Sequence, residues 1–232
     1  MSKTRTDIVM LLDRSGSMAS IADDMAGGFN AFIAEQLRTD PDGTVSLYQF
    51  DDKFTEVYVE KPLPDVGPLV LVPRGMTALL DSIGRSIAET RARIQAKPAE
   101  DRPDTVVFGI ITDGHENSSR EITHAAAKAL IERQEEKDGW TFLYLGANQD
   151  AIEVGAGLGI ARERSMTYTP DRIGDAMVAM SDSVHALRTA RAQGLDVDAA
   201  RAAATYSEAH REAAISEAPR RRGKGGKPTD PR

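Results

Sequence analysis

No cysteine occurs among the 232 residues. A disulfide framework, a thiolate zinc site, an iron–sulfur cluster and a cysteine nucleophile are therefore all excluded. No apolar run approaches the ~20 residues of a membrane-spanning helix, so no membrane association is expected. The start of the chain also lacks the apolar core of about 7–15 residues that a secretory signal needs. Ile8 to Leu12 is apolar, but Asp13 interrupts it. A cytoplasmic protein is the expectation. A basic surplus is missing from most of the chain as well. The net charge is −7, yet Arg220, Arg221, Arg222, Lys224, Lys227 and Arg232 face only Asp230 within residues 219–232, a local +5 that leaves −12 on the rest. An acidic body argues against a broad nucleic-acid-binding face. What remains is ordinary globular composition, 41% hydrophobic and 28% charged, and the length allows one large domain with an appendage, or two small ones.

The order of elements is legible from hydrophobic periodicity. Ile8-Val-Met-Leu-Leu12 has the length and continuity of a buried parallel strand. Ser20 with Asp23 three residues on resembles a capping box, and Met25, Phe29, Phe32, Ile33 and Leu37 follow at helical spacing. Residues 44–50 and 54–59 read as strands joined through Asp51-Asp52-Lys53 in a hairpin, the second alternating as a half-exposed edge does. Residues 61–76 form a loop rich in proline and glycine, which feeds a helix bearing Leu80, Ile83, Ile87 and Ile94. A second apolar strand spans 105–112. Ile122, Ala126, Ala129 and Leu130 predict a helix, 140–145 a strand, 150–159 a short helix, and 166–168 a last strand. Ile173, Met177, Met180, Val184 and Leu187 form a 4-3-4-3 stripe on a long helix. Strands alternating with helices call for an α/β, Rossmann-like three-layer sandwich, with a mostly parallel central sheet and helices on both faces.

Three segments are expected: a domain over 1–193, an Ala-rich helical extension over 194–218, and a basic, flexible tail over 219–232. The stretch 198–214 is helix-prone with a weak apolar face, Tyr206 and Ile215 being its large members, so loose packing or packing on a partner is expected. The tail fits a solubilising end equally with a weak contact to nucleic acid or an acidic surface.

The chemistry gathers at strand ends, where ligands of parallel α/β sheets sit. Leu11-Leu12-Asp13 and Ile111-Thr112-Asp113 each close an apolar strand with a carboxylate. Ser15 and Ser17 follow Asp13 in a turn made pliable by Gly16, and Thr77 stands where a loop enters a helix. Asp13, Ser15, Ser17, Thr77 and Asp113 make an oxygen-only donor set. It suits Mg²⁺, Mn²⁺ or Ca²⁺ and is poor for Zn²⁺ or Cu²⁺. Two charged donors nearly balance a divalent cation and leave it electrophilic. The same residues also read as turn and helix-cap residues. His115, Glu116 and Asn117 lie on the rim, as a solvated loop or as groups that tune partner choice. Asp51 and Asp52 read as hairpin residues.

Asp13-x-Ser15-x-Ser17, Thr77 and Asp113-Gly114 resemble the metal-ion-dependent adhesion site of the von Willebrand factor type A domain family, in an intracellular prokaryotic or phage-encoded form. The resemblance covers about residues 6 to 190 and implies a parallel sheet with one antiparallel edge strand. It implies that Ser15 and Ser17 ligate the metal directly, that Thr77 does so directly or through water, and that Asp13 and Asp113 act largely through water. It implies too that a partner protein supplies an Asp or Glu as the last ligand. A phage-encoded chain would sit in a virion.

Two other classes compete. A metal-dependent hydrolase would need more than the sequence offers. Arg14-Ser15-Gly16 is no G-x-S-x-G elbow, and His115, His124, His185 and His210 have no patterned partner. Ser15 stands where an aspartyl-nucleophile phosphatase would want a second carboxylate, and Gly155-Ala-Gly157-Leu-Gly159 misses the dinucleotide spacing. No enzymatic activity is expected. The other reading is a structural subunit of a large assembly, such as a phage particle or secretion machine.

Overall fold

A computed structural model describes residues 5–215. Strand β1 (Thr6–Asp13) is buried at every position. Ile8, Met10 and Leu12 point into one layer, Val9 and Leu11 into the other. Its apolar run is continuous, not alternating, because both faces are covered. β2 (Thr44–Phe50) and β4 (Thr105–Thr112) flank it in parallel. β5 (Thr141–Ala147) and β6 (Ser165–Tyr168) extend the parallel side, while β3 (Phe54–Pro62) runs antiparallel on β2. The sheet order is β3-β2-β1-β4-β5-β6. The antiparallel edge strand and the parallel interior are both as expected.

Helices α1 (Ala22–Thr39) and α5 (Ile173–Ala192) cover one face. Helices α2 (Leu79–Ala96), α3 (His124–Asp138) and α4 (Ala151–Gly157) cover the other. All five members of the α5 stripe are buried, against Phe29 and Phe32 of α1 among others. The layer is further pinned by a 2.7 Å hydrogen bond from the Gln36 amide to the Ser181 hydroxyl. Among the described residues no helix is long and apolar enough to cross a membrane.

Three local expectations are corrected. The capping box at Ser20 does not form, because Gly16–Ser20 is a 3-10 turn and α1 begins behind Ile21, with no side-chain cap. The buried stripe of α3 is Ala127, Ile131 and Gln134, and Ala126 and Ala129 face solvent. The segment 198–214 is not one loosely held helix. It is two short ones, α6 (Val197–Ala203) and α7 (Glu208–Ile215), with Ala200, Ala204, Tyr206 and Ala214 buried in the α1–α5 layer. Alanine gives a weak hydropathy signal but permits close approach, so an Ala-rich face packs better than its hydrophobicity indicates. The expected tail over 219–232 and the last residues of the 194–218 extension lie outside the described residues.

The sheet register sets up the site. Leu12 pairs with Gln49 on one side and Ile111 on the other, so β1, β2 and β4 end level. Asp13, Asp51 and Asp113 therefore emerge along a single edge.

Candidate metal centre

Asp13, the last residue of β1, is fully buried. One carboxylate oxygen accepts from the Ser15 amide at 2.6 Å, and the other accepts from the Thr112 hydroxyl at 2.6 Å. The first bond folds the chain back on itself, so that the Ser15 and Ser17 hydroxyls come within 3.0 Å of each other. Ser17 then donates to Asp113 at 2.6 Å across 96 residues of sequence. Thr77 arrives from the far side of the centre. A Cβ built on Gly114 would lie 3.4 Å from its hydroxyl and 3.5 Å from that of Ser17, so the two oxygens converge on the same point beside Gly114. All five residues singled out in the sequence meet at the carboxyl edge of β1 and β4.

The electrostatics are unusual for a buried cluster. Burial pushes Asp13 up to about 6, against the pull of hydrogen bonds from Thr112 and Ser15, and the charge of Asp113 adds to the rise. Asp113 is raised by burial too, with Ser17 opposing. Among the described residues no Lys, Arg or His side chain bonds either carboxylate. Two adjacent buried carboxylates without a cation, faced by three hydroxyl oxygens, fit a hard divalent ion. Among the described residues no group of three or more His, Cys, Asp or Glu could hold a metal. A centre here thus depends on its hydroxyls.

Asp51 is more than a hairpin residue. Its side chain is wholly buried, and a single oxygen accepts from Arg14 Nε at 2.9 Å and Arg74 Nε at 2.8 Å. The other accepts from the Lys53 amide, and its carbonyl accepts from the Ala78 amide. Burial alone would raise it, but the Arg74 and Lys53 hydrogen bonds and the two guanidinium charges hold Asp51 below the usual carboxylate range. The two loops that carry Ser15, Ser17 and Thr77 are thereby locked to the β2–β3 turn. Gly75, at φ +67°, completes the lock by accepting from the Gly16 amide, and a Cβ there would strike the Asp52 carboxylate at 2.2 Å. A sequence signal for Asp51 existed, since it too follows an apolar strand, and Arg14 beside Asp13 marked the difference.

The rim loop is bonded, not merely solvated. Asn117 exchanges hydrogen bonds with the main chain of Thr77 in both directions. Glu116 accepts from the Leu80 amide and from Ser118 and Ser119, and so caps α2. Asp81 returns the favour to the amides of Arg120, Glu121 and Ile122. His115 is left exposed. Met76 is half exposed beside Thr77.

Among solved structures, the chain is similar to the vWF domain of the type V pili tip protein Mfa5 from Porphyromonas gingivalis. That match has TM-score 0.57 at 10% identity, over 80% of this chain and 96% of that one. The von Willebrand factor type A protein from Catenulispora acidiphila matches with TM-score 0.52 at 14% identity, over 79% of this chain and 43% of that one. The fold is that of a von Willebrand factor type A domain. Proximal thread matrix protein 1 from the mussel byssus, described with a zinc-occupied MIDAS motif, shares that fold at TM-score 0.51 and 17% identity, over 77% of this chain and 45% of that one. The chain thus spans less than half the length of the mussel and Catenulispora proteins. No family model and no curated protein matches the sequence.

Proposed function

We propose that this von Willebrand factor type A domain is a non-enzymatic, divalent-metal-dependent protein-binding module. One observation carries the reading: two buried carboxylates, without a cation among the described residues, face three hydroxyls at the carboxyl edge of the sheet. Ser15, Ser17 and Thr77 would hold Mg²⁺, Mn²⁺ or Ca²⁺, with Asp13 and Asp113 orienting its waters. When bound, the cation supplies an electrophilic position that an Asp or Glu of a partner protein can take. The chain's own residues do the rest. Asp13 holds the Ser15 turn, Asp51 holds the loops that carry Ser15 and Thr77, and Asn117 fixes the main chain of Thr77. A serine nucleophile is disfavoured, because the Ser15 and Ser17 hydroxyls bond each other and Asp113, and no imidazole is bonded to them among the described residues.

Calorimetry of the full chain with Mg²⁺, Mn²⁺, Ca²⁺ and Zn²⁺ tests the reading. Binding of Mg²⁺ or Mn²⁺ that Ser15→Ala removes is the expected result. No binding of any of these ions, or binding that S15A leaves intact, refutes it. Partners captured in Mg²⁺ and released by EDTA would separate a metal-bridged binder from a passive structural subunit, whose neighbours stay.

A further inference from the structure

Asp113 can be placed no better than the end of β4 that carries it. Thr112 is the last residue of that strand, and its hydroxyl also holds Asp13. Two residues from the far side of the sheet bind this short stretch through its carbonyls. Tyr168, the last residue of β6, pairs with Ala147 of β5, yet its hydroxyl reaches past β5 to donate to the Thr112 carbonyl at 3.3 Å. Tyr168 is buried, so water does not compete for that bond. Asn148, directly after β5, donates from its side-chain amide to the Asp113 carbonyl at 3.2 Å. It does so from φ +55°, a left-handed backbone that glycine adopts freely and asparagine tolerates. Glycine would serve the turn alone. The amide toward Asp113 is what Asn148 adds.

We propose that Tyr168 and Asn148 are positioning residues of the centre, which fix the Thr112–Asp113 main chain and thereby set a preference for Mg²⁺ over the larger Ca²⁺. The effect passes through groups that are bonded in series. Thr112 donates to Asp13, Asp13 holds the Ser15 amide, and Asp113 accepts from Ser17, so a shift of this main chain moves both serine hydroxyls. Oxygens held in one arrangement suit Mg²⁺, which demands near-octahedral geometry, whereas Ca²⁺ accepts looser and more numerous oxygens. Tyr168 is buried and Asn148 exposed, so the larger share belongs to Tyr168. This inference rests on the metal-binding reading and adds the residues that decide between two cations.

The test is calorimetry of the full chain with Mg²⁺ and with Ca²⁺ in three variants. Tyr168→Phe deletes one oxygen, Asn148→Gly keeps the left-handed backbone but deletes the amide, and the third variant combines them. The double variant should bind Mg²⁺ about tenfold more weakly, with Ca²⁺ affinity nearly unchanged. Each single variant should shift the ratio the same way, Y168F by more. A metal-free readout accompanies it. The Gly114 amide, 3.3 Å from the Thr112 hydroxyl, should exchange its hydrogen faster in the double variant, while Val9 and Leu11 in β1 exchange as in the wild type. Equal weakening of both ions, no change in either, or unaltered Gly114 exchange overturns the positioning role and leaves metal binding standing. Absence of binding of either ion to the wild type overturns both readings.

Discussion

Asp13 and Asp51 end up on adjacent strands at the same edge of the sheet, and both are buried, yet their surroundings push them in opposite directions. Asp13 has hydroxyl and amide donors but, among the described residues, no cation, and is raised to about 6; Asp51 has two guanidiniums and is lowered. The difference predicts opposite mutational behaviour. Asp13→Asn should abolish Mg²⁺ binding while leaving the metal-free thermal midpoint at pH 7 unchanged or higher. It removes a desolvated charge, and an amide can accept from Ser15 and donate to Thr112, whose hydroxyl already lies 3.2 Å from the Gly114 carbonyl. A lowered midpoint for D13N would show that the carboxylate serves the fold. Asp51→Asn should instead cost about 3–5 kcal/mol at pH 7, because it strands the buried Arg14. A folded-state value held below the unfolded one contributes stability above the unfolded value and loses it as pH falls through the folded one. The gap between wild type and D51N in urea denaturation should therefore close as pH falls below about 4. A constant gap from pH 7 to pH 3 would contradict the ionic origin.

At the level of elements, strongly periodic segments were legible and small-residue segments were not. The stripe from Ile173 to Leu187 and the two strands closing in aspartate stand where periodicity puts them, because each buries large side chains at a fixed interval. The helical character of 198–214 was legible, but its break into α6 and α7 and their close packing escaped, since the buried members are mostly alanines, whose contribution is proximity and not hydropathy. Tyr206, between those helices, is buried with its hydroxyl unbonded among the described residues, and burial raises its ionisation far above the usual range. Tyr206→Ala should cost about 3–5 kcal/mol through a cavity, whereas Tyr206→Phe should be neutral or stabilising, since it deletes an unsatisfied polar atom. Equal losses for both variants in chemical denaturation would mean that the hydroxyl is bonded in solution. Truncation after residue 193 should yield an unstable or aggregating chain, because it strips cover from Ala190, Met180 and their neighbours in the same core.

Across the whole molecule, the convergence of Asp13, Ser15, Ser17 and Asp113 was legible because they follow the ends of β1 and β4, and that of Thr77 because it stands where a loop enters α2, while the framework that holds them was not. Glu116, Asn117 and Asp81 act through main-chain groups that carry no residue identity, and so leave little trace in a single sequence. If the centre binds as proposed, Mg²⁺ at a hundredfold excess over its Kd should stabilise the fold by about 2.7 kcal/mol. A thermal shift that tracks Mg²⁺ concentration in the wild type and vanishes in Ser15→Ala checks this. Ca²⁺ and Mn²⁺ should act in the same sense, and Zn²⁺ more weakly, since no nitrogen or sulfur donor is in the set.

The bond between Asp13 and Thr112 joins residues 99 apart in sequence. During synthesis the first half of the centre is made early, but its second carboxylate arrives only with β4, which must slide in beside β1. No N-terminal fragment can own the site, and a cation cannot seed local structure around Asp13-Arg-Ser-Gly-Ser by itself. The proposed capacity to hold a cation is thus acquired late, as a consequence of finished topology.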